Sequence, residues 1–170
     1  MVLESEISDN QLNESISKVE KFYFELSNED FFGCEFSPDL THEFKLKNIA
    51  YLNNEQNYLI ATDSFDFQLE IKVFEKTDKK DQVIAVFSRS CNICGQCPPE
   101  YKFFKIIDSG LEDITTSIFD RTTLEKNLNV SHLVGYQLND NDLIVVTNCE
   151  TEEVIAHLDF YNDQFKIKEF

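Results

Sequence analysis

The chain's 170 residues include 15 basic and 32 acidic side chains, for a formal net charge of −17, and 42% of its residues are hydrophobic. A chain of this length and apolar content can build a core without metal or disulfides, and so large an excess of carboxylates repels nucleic-acid phosphates and anionic membranes. The composition argues against direct nucleic-acid binding and membrane attachment, and it favours a basic protein partner through complementary fields.

The charge is −8 over 1–40, −3 over 41–119 and −6 over 120–170, so the two ends carry most of the excess. The opening MVLESEISDN has no basic region followed by an apolar stretch, and no secretory signal is expected. Apolar runs such as Leu143 to Val146 are strand-sized and too short to span a bilayer. Five cysteines, an odd number, argue against a fully paired secreted framework and point to a cytoplasmic or otherwise intracellular compartment.

Along the chain, Leu12, Ile16, Val19, Tyr23 and Leu26 recur at helical spacing, and Phe22 widens the apolar face. Ser8 with Gln11 is the expected capping box, with Asp9 and Asn10 as alternative caps, and Glu14 is placed to pair with Lys18. Phe44, Leu46 and Ile49 suggest a strand, Asn53 to Gln56 a turn, and Tyr58 to Ala61 another strand. Phe65, Phe67, Leu69, Ile71 and Val73 alternate with mostly polar residues, which predicts one buried and one solvated face. A turn at Asp78-Lys79 then sets Val73 opposite Ile84 and Lys76 opposite Asp81.

Tyr101 to Ile107 reads as a strand and Thr122 with Glu125 as the start of a short helix through Leu128, whereas Ile114 to Phe119 fits either state. Turns at Asn139 to Asp142, Glu150 to Glu153 and Asn162-Asp163 divide the C-terminal segment into four antiparallel strands. Facing Leu138 to Leu143, Cys149 to Val154 and Phe160 to Phe165 gathers Val134, Tyr136, Leu138, Val145, Thr147, Ala156 and Leu158 on one surface, with Asp159 opposite Lys166 on the other. These elements predict a single acidic α+β domain over 1–170, predominantly antiparallel β-sheet, with an N-terminal helix and a C-terminal four-stranded meander.

The most specific chemical pattern is Cys91-Asn92-Ile93-Cys94-Gly95-Gln96-Cys97-Pro98-Pro99. Three thiols at two-residue separations can converge on zinc, with Cys34, His132, Cys149 or His42 as the fourth ligand. Cys149 also reads as a small buried apolar residue beside Val154. The spacing resembles the start of a bacterial ferredoxin cluster motif, but Tyr101 stands where a fourth cysteine is expected and Pro98 follows the third, so neither that fold nor electron transfer follows. The overlapping CxxC pairs also permit thiol-disulfide exchange.

The histidines are His42, His132 and His157; His157 is expected on the polar strand face near Val146, which does not make a catalytic set. Asp63/Asp66 and Asp140/Asp142 are explained by turn hydrogen bonding, and no phosphate-binding glycine loop, nucleophile elbow or zinc-protease motif is present. A non-enzyme is therefore favoured. The expected function is an acidic interaction module, an inhibitor or immunity-like protein on a basic protein surface; the alternatives are a zinc-stabilised regulatory module and a small thiol-redox protein.

Overall fold

The computed structural model describes residues 17–26, 41–62, 68–75, 82–89, 100–108, 110–130, 134–141, 143–161 and 164–168. It has an α+β fold with an N-terminal helix and two antiparallel sheets. Among the described residues no helix is long and apolar enough to cross a membrane.

Helix α1, Lys18–Glu25, begins at a capping box in which the Ser17 hydroxyl accepts from Glu20 N–H at 3.4 Å and the Glu20 carboxylate accepts from Ser17 N–H at 3.0 Å. The expected cap at Ser8 and Gln11 lies outside the described residues, as do Leu12, Glu14 and Ile16. Lys18 pairs with Glu75, at 2.7 Å. Val19, Phe22, Tyr23 and Leu26 form the buried face of α1, as their spacing predicts.

The strand expected through Phe44 and Leu46 is a helix, α2, His42–Lys47. The Thr41 hydroxyl accepts from Phe44 N–H at 3.2 Å and Glu43 pairs with Lys47 at 2.7 Å, so local capping and an i,i+4 pair override the alternation. Leu46 is 55% exposed while Lys45 is 5% exposed, the reverse of the predicted strand face. The Lys45 ammonium donates to the carbonyls of Tyr23, Phe24 and Leu26 at 3.3, 3.1 and 2.6 Å, and the Tyr23 hydroxyl donates to the Lys45 carbonyl at 2.9 Å. A cation thus sits at the negative end of α1 and satisfies carbonyls that have no partner within the helix.

The first sheet is a meander in the order β1 Ile49–Asn53, β2 Tyr58–Thr62, β3 Gln68–Glu75, β4 Gln82–Arg89, β5 Glu100–Ile107 and β6 Gly110–Asp113. The turn before β2 is closed as its composition predicts: the Asn53 side chain accepts from Gln56 N–H at 3.1 Å. Val73 pairs with Ile84 as expected, and the Lys76 and Asp81 pairing lies outside the described residues. Leu69, Ile71 and Val73 pack beneath α1. The opposite face of β3, expected to be solvated, is also buried: Glu70 is 2% exposed, Lys72 0% and Phe74 1%.

The second sheet covers that face. Its strands, in sheet order, are β10 Gln164–Ile167, β9 Val154–Tyr161, β8 Leu143–Asn148 and β7 Val134–Leu138. Leu138 meets Glu70 of β3, while the Tyr136 ring lies 5.9 Å from the ring of Tyr101 on β5. Glu70, Phe87 and Tyr101 form one cross-strand row, so β7 follows a line across the first sheet's strands. Phe74, Phe103, Phe119, Phe160 and Phe165 fill the space between the layers with ring contacts of 5.0 to 5.9 Å.

The predicted pairings Phe160↔Phe165 and Asp159↔Lys166 are present, but β8 is displaced by one residue. Leu138 pairs with Ile144, and Val154 pairs with Thr147 across an irregularity. Ile144 and Val146 are therefore fully buried while Val145 is only half-buried; Thr147 is buried as expected, at 8% exposure, and Val154 is 54% exposed. Because Leu143 to Val146 is apolar throughout, its hydrophobic pattern cannot set the register; packing rows Tyr136/Val146/Ala156 and Leu138/Ile144/Leu158 do.

Two short helices join the sheets. A single turn, α3 Thr115–Ile118, follows β6, and α4, Arg121–Asn127, is capped by Asp120, whose carboxylate accepts from Thr123 N–H at 3.1 Å. The cap expected at Thr122 is therefore two residues earlier, and Glu125 instead accepts from Arg121.

Candidate functional site

The interface between the sheets holds the molecule's unusual polar chemistry. The Glu70 carboxylate accepts from Leu138 N–H at 3.0 Å and Gln68 Nε2 at 2.7 Å, while the Tyr58 hydroxyl donates to the Leu138 carbonyl at 3.3 Å. Both outward backbone groups of Leu138 are satisfied by side chains of the first sheet. Lys72 Nζ donates to the carbonyl of Gln56 and, at 3.0 Å, to that of Asp140, joining turns of the two sheets. These buried charges serve docking, because each is directed at backbone groups that the interface removes from water.

A second cluster connects α4 to the sheets. Arg121 donates to Glu125, the Tyr136 hydroxyl donates to Glu125 at 3.1 Å, and the Arg121 guanidinium lies 5.9 Å from the Tyr136 ring centre. Burial pushes the Tyr136 hydroxyl well above its ordinary range, with the Glu125 charge adding to the effect. Burial also raises Tyr101, although the neighbouring Arg121 charge and hydrogen bond oppose it. Burial works against the Arg121 cation but is outweighed by its Glu125 and Tyr101 partners, which hold its pKa above the usual value. Two protonated phenols and an ion-paired guanidinium provide hydrogen-bond donors, and neither phenol is poised as a base.

Two grooves flank these contacts. One, of about 370 Å³, runs between α3, α4 and β10 and is lined by Asp120, Thr123, Phe165 and Lys166, among others. The other, of about 270 Å³, lies between the β1–β2 turn, β3 and β9, with Glu55, Glu75 and Asp159 in its wall.

The predicted metal ligands Cys91, Cys94 and Cys97 lie outside the described residues, as do Cys34 and His132. His42 is exposed and stacks on Phe24 at 4.2 Å, and His157 pairs with Val145 rather than lying beside Val146. Cys149, expected as an inward-facing free thiol beside Val154, is disulfide-bonded and half-buried in the β8–β9 turn. In that state it has no thiolate to offer a metal. Among the described residues, no group of three or more His, Cys, Asp or Glu side chains is arranged to hold a metal ion.

The same turn presents Glu150, Glu152 and Glu153 at the surface. It is held by the Asn148 side chain accepting from Glu150 N–H at 2.8 Å, with Asn148 N–H donating to the Glu153 carbonyl at 2.8 Å. At the β5–β6 hairpin, Asp108 and Glu112 are also exposed. No protein-family model matches the chain, and neither a curated protein nor a solved structure does.

Proposed function

We propose that this chain is an acidic protein-interaction module that binds a basic protein surface, acting as an inhibitor or immunity-like protein. The supporting observation is the internal use of cations. Lys45 and Lys72 are buried against backbone carbonyls, against one buried carboxylate, Glu70, among the described residues. Setting these three groups aside leaves the remainder more negative than the formal −17. Carboxylates on the hydrogen-bonded Glu150–Glu153 turn meet a cationic partner with little reorganisation, and the wider field speeds encounter.

Affinity capture from the source organism's lysate, at low and at moderate salt, tests this reading. The intact chain retains a partner with a basic surface, and Glu150→Gln/Glu152→Gln/Glu153→Gln weakens that capture. Equal capture by both chains, or loss of every partner at moderate salt, rejects the reading. A zinc-stabilised module on Cys91, Cys94 and Cys97 is the weaker alternative, because Cys149 is removed from the set of fourth ligands. The interaction reading carries an intracellular, cytoplasmic placement with it. A reducing cytosol opens exposed disulfides, so the oxidation state of Cys149 in freshly lysed cells reports the compartment.

A further inference from the structure

The outer strands are β1 and β6 on the first sheet and β7 and β10 on the second. An outer strand presents backbone donors and acceptors with which another chain can pair, and proteins commonly close or guard such edges. β7 is closed from within at Leu138, whose outward groups are taken by Glu70 and Tyr58. β10 runs along the groove beside α3 and α4, where Lys166 and Asp120 have opposite signs and select no partner charge. β1 carries no charged side chain. The edge of β6 is both open and charged.

Ile114 N–H donates to the Phe103 carbonyl at 2.8 Å, and β5 and β6 then pair without a shift from Phe104↔Asp113 to Ile107↔Gly110. Hydrogen bonding alternates along an antiparallel ladder, so Glu112 and Gly110 turn their backbone groups to β5 while Leu111 and Asp113 turn theirs outward. Among the described residues, no hydrogen bond reaches those outward groups. Gly110, Glu112 and Asp113 are exposed, and a methyl group at Gly110 would meet no atom within 4 Å, which leaves room for a strand beside β6.

The side chains around this edge define what fits it. Ile106, 44% exposed, pairs with Leu111, and Ile107, 38% exposed, pairs with Gly110, so each face of the hairpin offers an apolar contact. From Ile106 to Asp120 the chain carries Asp108, Glu112, Asp113 and Asp120 and no Lys or Arg. Lys105, the one cation of this ladder, stands opposite Glu112 on β5, one strand in from the edge. The Asp113 carboxylate is fixed in place by accepting from Thr115 N–H at 2.9 Å and from the Thr115 hydroxyl at 2.7 Å. A second copy of the chain paired at β6 would set these carboxylates against their own counterparts, which is unfavourable, whereas a cationic strand complements them.

We propose that the free edge of β6 binds an extended, basic segment of a protein partner as an added strand, with cationic side chains opposite Asp113 and Glu112 and an apolar one opposite Leu111. The proposal rests on the basic-partner reading above and specifies the conformation that the partner presents. Backbone pairing supplies the affinity, and the alternating side chains supply the selectivity.

The probe is the capped peptide Thr-Val-Lys-Arg-Val-Thr, whose charge pattern reads alike in either strand direction, titrated into the isotope-labelled full-length chain. The amide resonances of Leu111 and Asp113 are expected to shift and their hydrogen exchange to slow. N-methylating one alternate set of peptide residues removes the N–H groups that face β6 and is expected to lower affinity about tenfold, while methylating the other set leaves it unchanged. Glu112→Gln with Asp108→Asn is expected to weaken binding about threefold at low salt and less at moderate salt. Equal affinity for the two methylated peptides, or no shift at β6, overturns the proposal. So do β6 shifts that grow with chain concentration in the absence of peptide, which would assign the edge to a second copy. Shifts at the Glu150–Glu153 turn without any at β6 overturn the strand addition and leave the basic-partner reading standing, whereas absence of a basic partner from the lysate capture is a failure of that reading itself.

Discussion

Glu70→Met tests whether a buried carboxylate holds the edge of the second sheet. Methionine keeps much of the side chain's length and removes the acceptor that holds Leu138 N–H at 3.0 Å. A buried N–H without a partner costs about 1–3 kcal/mol. Removing the carboxylate relieves its own desolvation, but it leaves the fully buried Lys72 ammonium two residues away with less compensating charge. The net expectation is a loss of about 2–3 kcal/mol, with the hydrogen-bond term dominant. That corresponds to a fall in Tm of roughly 4–12 °C for a chain of this size. Glu70→Gln retains a carbonyl acceptor and loses only charge assistance, for a cost of about 1 kcal/mol. Urea unfolding at a fixed oxidation state measures both variants, and amide exchange at Leu138 locates the effect: protection falls in the methionine variant and persists in the glutamine variant. If Glu70→Met stays within about 0.5 kcal/mol of the parent, as ordinary surface changes do, and Leu138 stays protected, the edge-capping argument is wrong.

Lys45→Met leaves the carbonyls at the end of α1 without their shared cation, and is expected to cost at least about 2 kcal/mol by urea unfolding, with the largest rise in amide exchange in α1. Ser17→Ala removes the capping hydroxyl and lowers stability by about 1 kcal/mol, while Ser17→Asp retains most of it. Burial raises the hydroxyl pKa of Tyr23 and Tyr136, so the unfolded chain releases these protons near pH 10 while the folded chain still holds them. Their contribution is fully present below about pH 10 and is lost as the pH rises beyond it; urea midpoints measured from neutral to alkaline pH should fall there, less steeply for Tyr136→Phe. Asp120 is shifted the other way, chiefly by the Thr123 hydroxyl and backbone N–H. Its contribution is present above the ordinary aspartate pKa and lost as the pH falls through the lower folded value, so Asp120→Asn should flatten the acid side of the same profile.

Local chemistry made much of the fold legible. The spacing of Val19, Phe22, Tyr23 and Leu26 marked the face that α1 buries, and the turn residues at Asn53 to Gln56 and along the C-terminal segment marked strand ends. These signals depend on neighbours in the chain, which is why they survive without knowledge of the rest of the molecule. Two local signals were readable and missed: Ser17 with Glu20, and Thr41 ahead of the Glu43 and Lys47 pair, spell helix starts as clearly as Ser8 and Gln11 do.

Other features arise only when the layers meet. Glu70 and Lys72 alternate with Leu69, Ile71 and Val73 in the pattern of a solvated strand face, and only the second sheet laid across β3 buries them against Leu138 and Asp140. The register of β8 depends on rows contributed by β7 and β9, since its own apolar run fits either alternation. The acidity evident from composition is likewise sharpened by packing, because the burial of Lys45 and Lys72 removes positive charge from the exterior. Periodicity and turn chemistry specify which segments can be strands or helices; which polar residues become interior, and which charges remain at the surface, depends on contacts between residues far apart in the chain.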